Sequence, residues 1–184
     1  MNEVVTVGGK LALICAVAAI ALGLVNSVTA PAIVRVKEEQ LAAALDKVRG
    51  TASAGEEEIV ADNAIVKGSY PLTKDGSSTG YILSLIGVGY GGDMEILASY
   101  APDGEIDAVT LLADSETPGL GKAAEKPEYM EKFIGTGANK PVPMNKQQLT
   151  QEQADSISGA SITFMGLAQA LADGSDYVKE QLGK

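Results

Sequence analysis

From Leu11 to Val34 the chain runs for 24 residues without a charged side chain, and Asn26, Ser27 and Thr29 are its only polar interruptions. About 20 apolar residues cross the hydrocarbon core of a bilayer, whereas the apolar core of a cleaved signal peptide is usually about 7 to 15 residues long. The stretch therefore reads as a membrane-spanning helix. Val28-Thr29-Ala30 has the small-residue spacing of a signal-peptidase site, but Pro31 would directly follow the cut and the apolar run is too long, so retention as an anchor is the preferred reading. Charge does not encode the orientation: Lys10 and the amino terminus lie on one side of the run, Arg35 and Lys37 on the other. Cys15 falls inside it. As the single cysteine it permits neither an internal disulfide nor an iron–sulfur cluster ligated within this chain.

Everything that can build a water-soluble core comes after this run, which predicts a tail at 1–10, a span at 11–34, a juxtamembrane helix with its connection at 35–57, and one domain at 58–184. Leu41, Ala44, Leu45 and Val48 recur at helical spacing between Val36 and Arg49, Gly50 can end that helix, and Pro31 is expected to break or kink any continuation from the membrane. Runs at Ala64 to Tyr70, Thr79 to Val88, Met94 to Tyr100 and Ile106 to Ala113 read as strands, with turns at Asp75-Gly76 and Pro102-Asp103-Gly104. Ala123 to Ile134 reads as a helix with Pro127 near its first turn, and Gly135 to Pro143 as irregular. Ile162 to Ala172 reads as a second helix that buries Phe164, Met165, Ala168, Leu171 and Ala172. The expected fold is α+β: an N-terminal transmembrane helix, then a mainly antiparallel sheet flanked by helices.

Charge and composition remove whole classes of function. With Glu3 and Lys10 set aside, 13 basic and 23 acidic residues leave a net −10 on the remainder, which would be repelled by phosphate backbones, so no nucleic-acid partner is expected. The chain has no histidine, which rules out Ser-His-Asp and Cys-His catalysis and His-ligated zinc or haem within it, and no catalytic residue is assigned. Glu56-Glu57-Glu58 reads as a solvated face, since three successive side chains cannot converge on one ion in regular structure; no metal site is expected.

Three segments carry the chemistry. Asp155-Ser156-Ile157-Ser158-Gly159-Ala160-Ser161, followed by Ile162 and Thr163, puts hydroxyls at Ser158, Ser161 and Thr163 where a helix begins. Unpaired N–H groups and the positive end of the macrodipole favour a phosphate there, and Gly159 and Ala160 let it approach the main chain. The plainer alternative is a serine N-cap. In Glu116-Thr117-Pro118-Gly119-Leu120-Gly121 the proline presets one backbone angle and the glycines let main-chain donors approach a planar ligand; otherwise it is a turn between a strand and a helix. Gly89-Tyr90-Gly91-Gly92-Asp93-Met94-Glu95-Ile96 lies between two apolar stretches; its plainer reading is a Gly-rich hairpin connection in which Tyr90 caps the core.

The first segment resembles the flavinylation motif Asp-x-x-(Ser/Thr)-Gly-Ala-(Thr/Ser) of the FMN-binding subunits of the Rnf and sodium-pumping NADH:quinone reductase complexes. The Glu116 and Gly89 segments, and Leu22-Gly23-Leu24-Val25-Asn26-Ser27-Val28-Thr29-Ala30-Pro31, resemble the same family in the same order, the last being typical of the Rnf G-type anchor. The resemblance implies FMN held covalently through its phosphate at Ser161, with Thr163 as the alternative, since this chain has Ser where Thr is commoner. It implies a cofactor site formed by Asp155, Ser158, Gly159, Ala160, Ser161, Glu116, Thr117, Gly119, Leu120, Gly121 and Tyr90, with Asp155 read by the flavin transferase that installs the group. It implies an electron-carrying redox subunit of an ion-translocating ferredoxin:NAD⁺ oxidoreductase, partnered by the other membrane and peripheral subunits. The N-terminus would be cytoplasmic and the domain on the outer or periplasmic side of the cell membrane. The alternatives are the same role in a sodium-translocating NADH:quinone reductase or another respiratory chain, or a membrane-tethered assembly module without cofactor.

Overall fold

A computed structural model of the chain describes residues 2–116, 121–157 and 159–182. Contacts divide the chain into two units, one through Leu41 and one from Ala42 onward. The first unit is helical, part of α1, which spans Asn2–Val48. Its large apolar side chains from Val4 to Val36 lie exposed, between 77% and 49%, an arrangement unfavourable in water and relieved by lipid. The helix is long and apolar enough to cross a membrane. Of the expected break or kink at Pro31, the break does not occur: α1 continues through it. A helical proline forfeits one backbone bond, here to the Ser27 carbonyl, and the small neighbours Ala30 and Ala32 add little crowding beside the ring. The nearby hydroxyls are satisfied inside the helix, Ser27 Oγ donating to the Leu24 carbonyl at 2.8 Å and Thr29 Oγ1 to that of Val25 at 2.9 Å.

α1 ends as the glycine signal demands: Gly50 takes φ +58, and the Arg49 N–H donates to the Leu45 carbonyl at 2.9 Å. Two short strands follow, β1 at Ser53–Ala54 and β2 at Glu58–Ile59, and then four long ones: β3 (Val66–Lys74), β4 (Ser77–Val88), β5 (Asp93–Tyr100) and β6 (Ile106–Ala113). All pair antiparallel in the order β1-β3-β4-β5-β6, with β2 also on β3. The β3–β4 turn has Asp75 at φ +52 and Gly76 at φ +79, the two left-handed positions of the hairpin turn whose twist matches the strands. β3 starts two residues later than the apolar run suggests because Asn63 Oδ1 accepts from the N–H groups of both Ile65 and Val66, each at 2.9 Å, holding them in a side-chain turn.

Beyond the sheet come a 3₁₀ turn at Gly121–Glu125, α2 (Pro127–Met130), a second 3₁₀ turn at Lys146–Gln148, α3 (Gln151–Ser156) and α4 (Ser161–Tyr177). The expected helix at Ala123 to Ile134 is thus two short pieces. Lys126 sits between them in extended backbone, φ −80 and ψ 136, since a residue before proline is pushed out of the helical region. α4 packs on the sheet through Phe164, Leu167, Ala168 and Leu171, all fully buried, together with Leu83, Leu85, Ile96 and Tyr100. Met165, expected on that face, is 53% exposed; one residue of helix turns it about 100° away from Phe164, and Thr163 is buried instead. Gly166 lets the helix backbone approach the Val88 carbonyl so closely that a Cβ there would collide with it. Tyr100 Oη donates to the Leu171 carbonyl at 3.1 Å and Ser175 Oγ to that of Gly104 at 2.6 Å, which fixes α4 against β5 and the β5–β6 turn.

Candidate functional site

Among the described residues no side chain caps the start of α4. Its N-cap residue is Ala160, which offers no oxygen to the first turn, and Ser161, the first helical residue, is not the N-cap. The chain reaches this point through Gly159 at φ +83 and a turn in which the Ala160 N–H donates to the Ile157 carbonyl at 3.0 Å. Ser161 is the first helical residue and is partly exposed. A ring cluster holds the helix start in place: Phe164 stacks on Phe133 with centroids 4.9 Å apart and meets Tyr129 edge-on at 6.1 Å, while Tyr129 Oη donates to the Ala160 carbonyl at 3.3 Å. Burial first, and the Glu116 charge second, hold the Tyr129 hydroxyl well above the usual tyrosine range, which keeps it a donor.

Two other segments close on this helix start. The β4–β5 connection is tied by the Gly89 N–H to the Gly92 carbonyl at 2.8 Å and carries Tyr90, 73% exposed, near its tip. The second is the stretch after β6, where the Glu116 N–H donates to Asp114 Oδ1 at 2.8 Å. Glu116 is only 4% exposed and joins all three segments: Oε1 accepts from the Gly91 N–H at 3.0 Å, and Oε2 accepts from the Thr163 hydroxyl at 2.9 Å. The glycines make room for it. A Cβ on Gly89 would strike Glu116 Oε1, one on Gly121 would strike Oε2, and one on Gly91 would strike the Ser115 carbonyl.

Between these segments lies a cleft of about 300 Å³ lined by Tyr90, Glu116, Gly121, Gly159, Ala160, Ser161, Ile162 and Thr163, at the small end for ligand sites. Seven of the residues singled out from sequence therefore meet around one cavity. Asp155 does not line it; it is exposed on α3, where its Oδ1 accepts from Gln151 Nε2 at 2.9 Å. Thr117, Gly119, Leu120 and Ser158 lie outside the described residues. Ile162 was missed by the sequence reading; its position inside the motif, on the exposed side of the first helical turn, is the signal that could have found it. Tyr129 had no such signal.

The chemistry of the cleft suits a phosphorylated planar ligand. The start of the 17-residue α4 offers N–H groups and the positive dipole end to an anion, and a hydroxyl stands at the same point. Tyr90 and Ile162 present apolar surface at the rim. The two hydroxyls in the cleft differ: that of Thr163 is 1% exposed and already committed to Glu116, whereas Ser161 faces the cavity with partial exposure.

Residues 89–176 match the model of the FMN-binding domain. Relatives of this chain are G subunits of ion-translocating redox complexes. It is 29% identical to the G subunit of the ion-translocating oxidoreductase complex of Methanosarcina acetivorans, over 99% of this chain and 98% of the relative. It is 29% identical to the G subunit of the Na(+)-translocating ferredoxin:NAD(+) oxidoreductase complex of Acetobacterium woodii, over 82% and 79%. With the G subunit of the proton-translocating ferredoxin:NAD(+) oxidoreductase complex of Clostridium ljungdahlii it shares 26% identity over 59% and 58%.

Proposed function

We propose that this protein is the G-type, FMN-carrying subunit of a membrane-bound ion-translocating ferredoxin:NAD⁺ oxidoreductase, with the flavin phosphate esterified to Ser161. The observation that carries the reading is the start of α4, where the Ser161 hydroxyl, the first-turn amides and the Glu116-braced glycine segments share one cleft in a stretch that matches the FMN-binding domain. Bound FMN supplies the redox chemistry; the protein supplies position and electrostatics. In the attachment step, catalysed by a transferase, the Ser161 oxygen bonds to the flavin-bearing phosphorus of a flavin phosphoanhydride; the anhydride P–O bond breaks, the second phosphate leaves with the bridging oxygen and its electron pair, and the serine proton passes to a base or solvent. The Thr163 hydroxyl, buried and donated to Glu116, is withheld from that step. Exposed Asp155, six residues before Ser161, is available to the transferase.

α1 anchors the subunit beside its membrane partners, with the N-terminus in the cytoplasm and the domain outside, where an ester bond prevents loss of the cofactor. The relatives include subunits of complexes named as sodium-translocating and as proton-translocating, which supports a reading in which the choice of ion lies in other subunits. Ser161→Ala tests the attachment: it removes the nucleophilic oxygen and almost no volume. Flavin fluorescence of the full-length protein on a denaturing gel should vanish while expression and membrane association persist, and Ser161→Thr should keep it. Fluorescence surviving Ser161→Ala would refute the assignment.

A further inference from the structure

The potential of a flavin joined only through its phosphate must be set by what surrounds the ring, and one group on the wall of the cleft is suited to set it. Glu116 is a carboxylate 4% exposed whose two oxygens are held by neutral donors, the Gly91 N–H and the Thr163 hydroxyl. Among the described residues no cation pairs with it. Lys122, in the stretch that follows, is turned instead to Asp114 at 3.6 Å and Glu125 at 2.5 Å. Burying an unpaired negative charge is costly, and removing a buried acid is the ordinary way to gain stability. Here three glycines and a threonine are arranged around it instead.

We infer that Glu116 holds the flavin potential low: its buried, cation-free charge on the cleft wall opposes the addition of electrons beside it and favours their onward transfer. A charge that is only 4% exposed is screened by water and salt far less than one on the surface, so it acts more strongly on a neighbouring group. The inference rests on the reading that FMN occupies this cleft. It assigns Glu116 a role beyond that of a brace, and the role requires its charge as well as its shape.

Glu116→Gln separates charge from shape, since the amide keeps the acceptor for the Gly91 N–H and can donate to the Thr163 oxygen. The measurement is a spectroelectrochemical titration of the full-length, flavin-loaded protein in detergent, with covalent flavin quantified alongside. The expected result is wild-type flavin content in Glu116→Gln with a midpoint potential shifted to more positive values. Wild-type content with an unmoved potential would overturn the inference and leave the cleft assignment standing. Wild-type protein that carries no flavin would instead sink the cleft assignment and this inference with it. Should Glu116→Gln fail to accumulate, the wild-type potential at low and high salt decides. Insensitivity to salt supports a buried charge, whereas a potential that climbs with salt would assign the effect to the acidic surface and overturn the role of Glu116.

Discussion

Ser161 and Glu116 differ in how far sequence alone could take them. The Ser161 hydroxyl sits in a short motif whose chemistry, a small-residue turn opening a helix, is readable because every part of it is local. The Glu116–Thr163 bond joins residues 47 positions apart, and only the fold reveals that two glycine-bearing segments exist to enclose one carboxylate. Burial at the residue scale also leaves a marked exception. Ser99 on β5 is 1% exposed, and its hydroxyl has no hydrogen-bond partner. A buried polar group without a partner costs about 1 to 3 kcal/mol. Ser99→Ala should therefore raise the urea midpoint of the domain by an amount equivalent to about 1 kcal/mol, with an unchanged m value. A lower midpoint would mean that a buried water serves this oxygen.

Element by element, the strands were legible because alternation and turn chemistry agree: Asp75-Gly76 and Gly104 adopt the positive φ angles their sequence implies. The helices were less so. α3 has no buried residue and hence no apolar stripe, so periodicity could not find it. Its signature is instead a capping box, in which the Gln153 N–H donates to Thr150 Oγ1 at 3.4 Å and Gln153 Oε1 accepts from the Thr150 N–H at 3.2 Å. A six-residue helix depends on such ends. Thr150→Ala should cost α3 about 1 kcal/mol. Amide exchange across 151–156 should accelerate several-fold while the β3–β5 amides hold their protection. Under the proposed function, flavin loading should slow as well, since Asp155 rides on this helix. Uniform protection across α3 in the variant would show that the cap contributes nothing.

The whole molecule combines an exposed apolar helix with an acidic domain of different solubility, and composition alone foretold both. It could not foretell that α1 would continue past Pro31 and Arg35 to Val48, because helix length beyond a proline depends on packing around Ala44 and Val48, which are buried. The full chain should resist extraction by alkaline carbonate, and a chain starting at Glu38 should be soluble and unfold in one cooperative transition. Release of the full chain by carbonate would contradict the anchor. The central claim, FMN joined to Ser161 in the cleft at the start of α4, is tested most directly by peptide mass spectrometry of the protein purified from its own membranes. The expected result is one modified peptide, with FMN minus water on Ser161 and an unmodified Thr163. FMN on the Thr163 oxygen, or a Ser161 peptide with no flavin in protein that is visibly yellow, would contradict it.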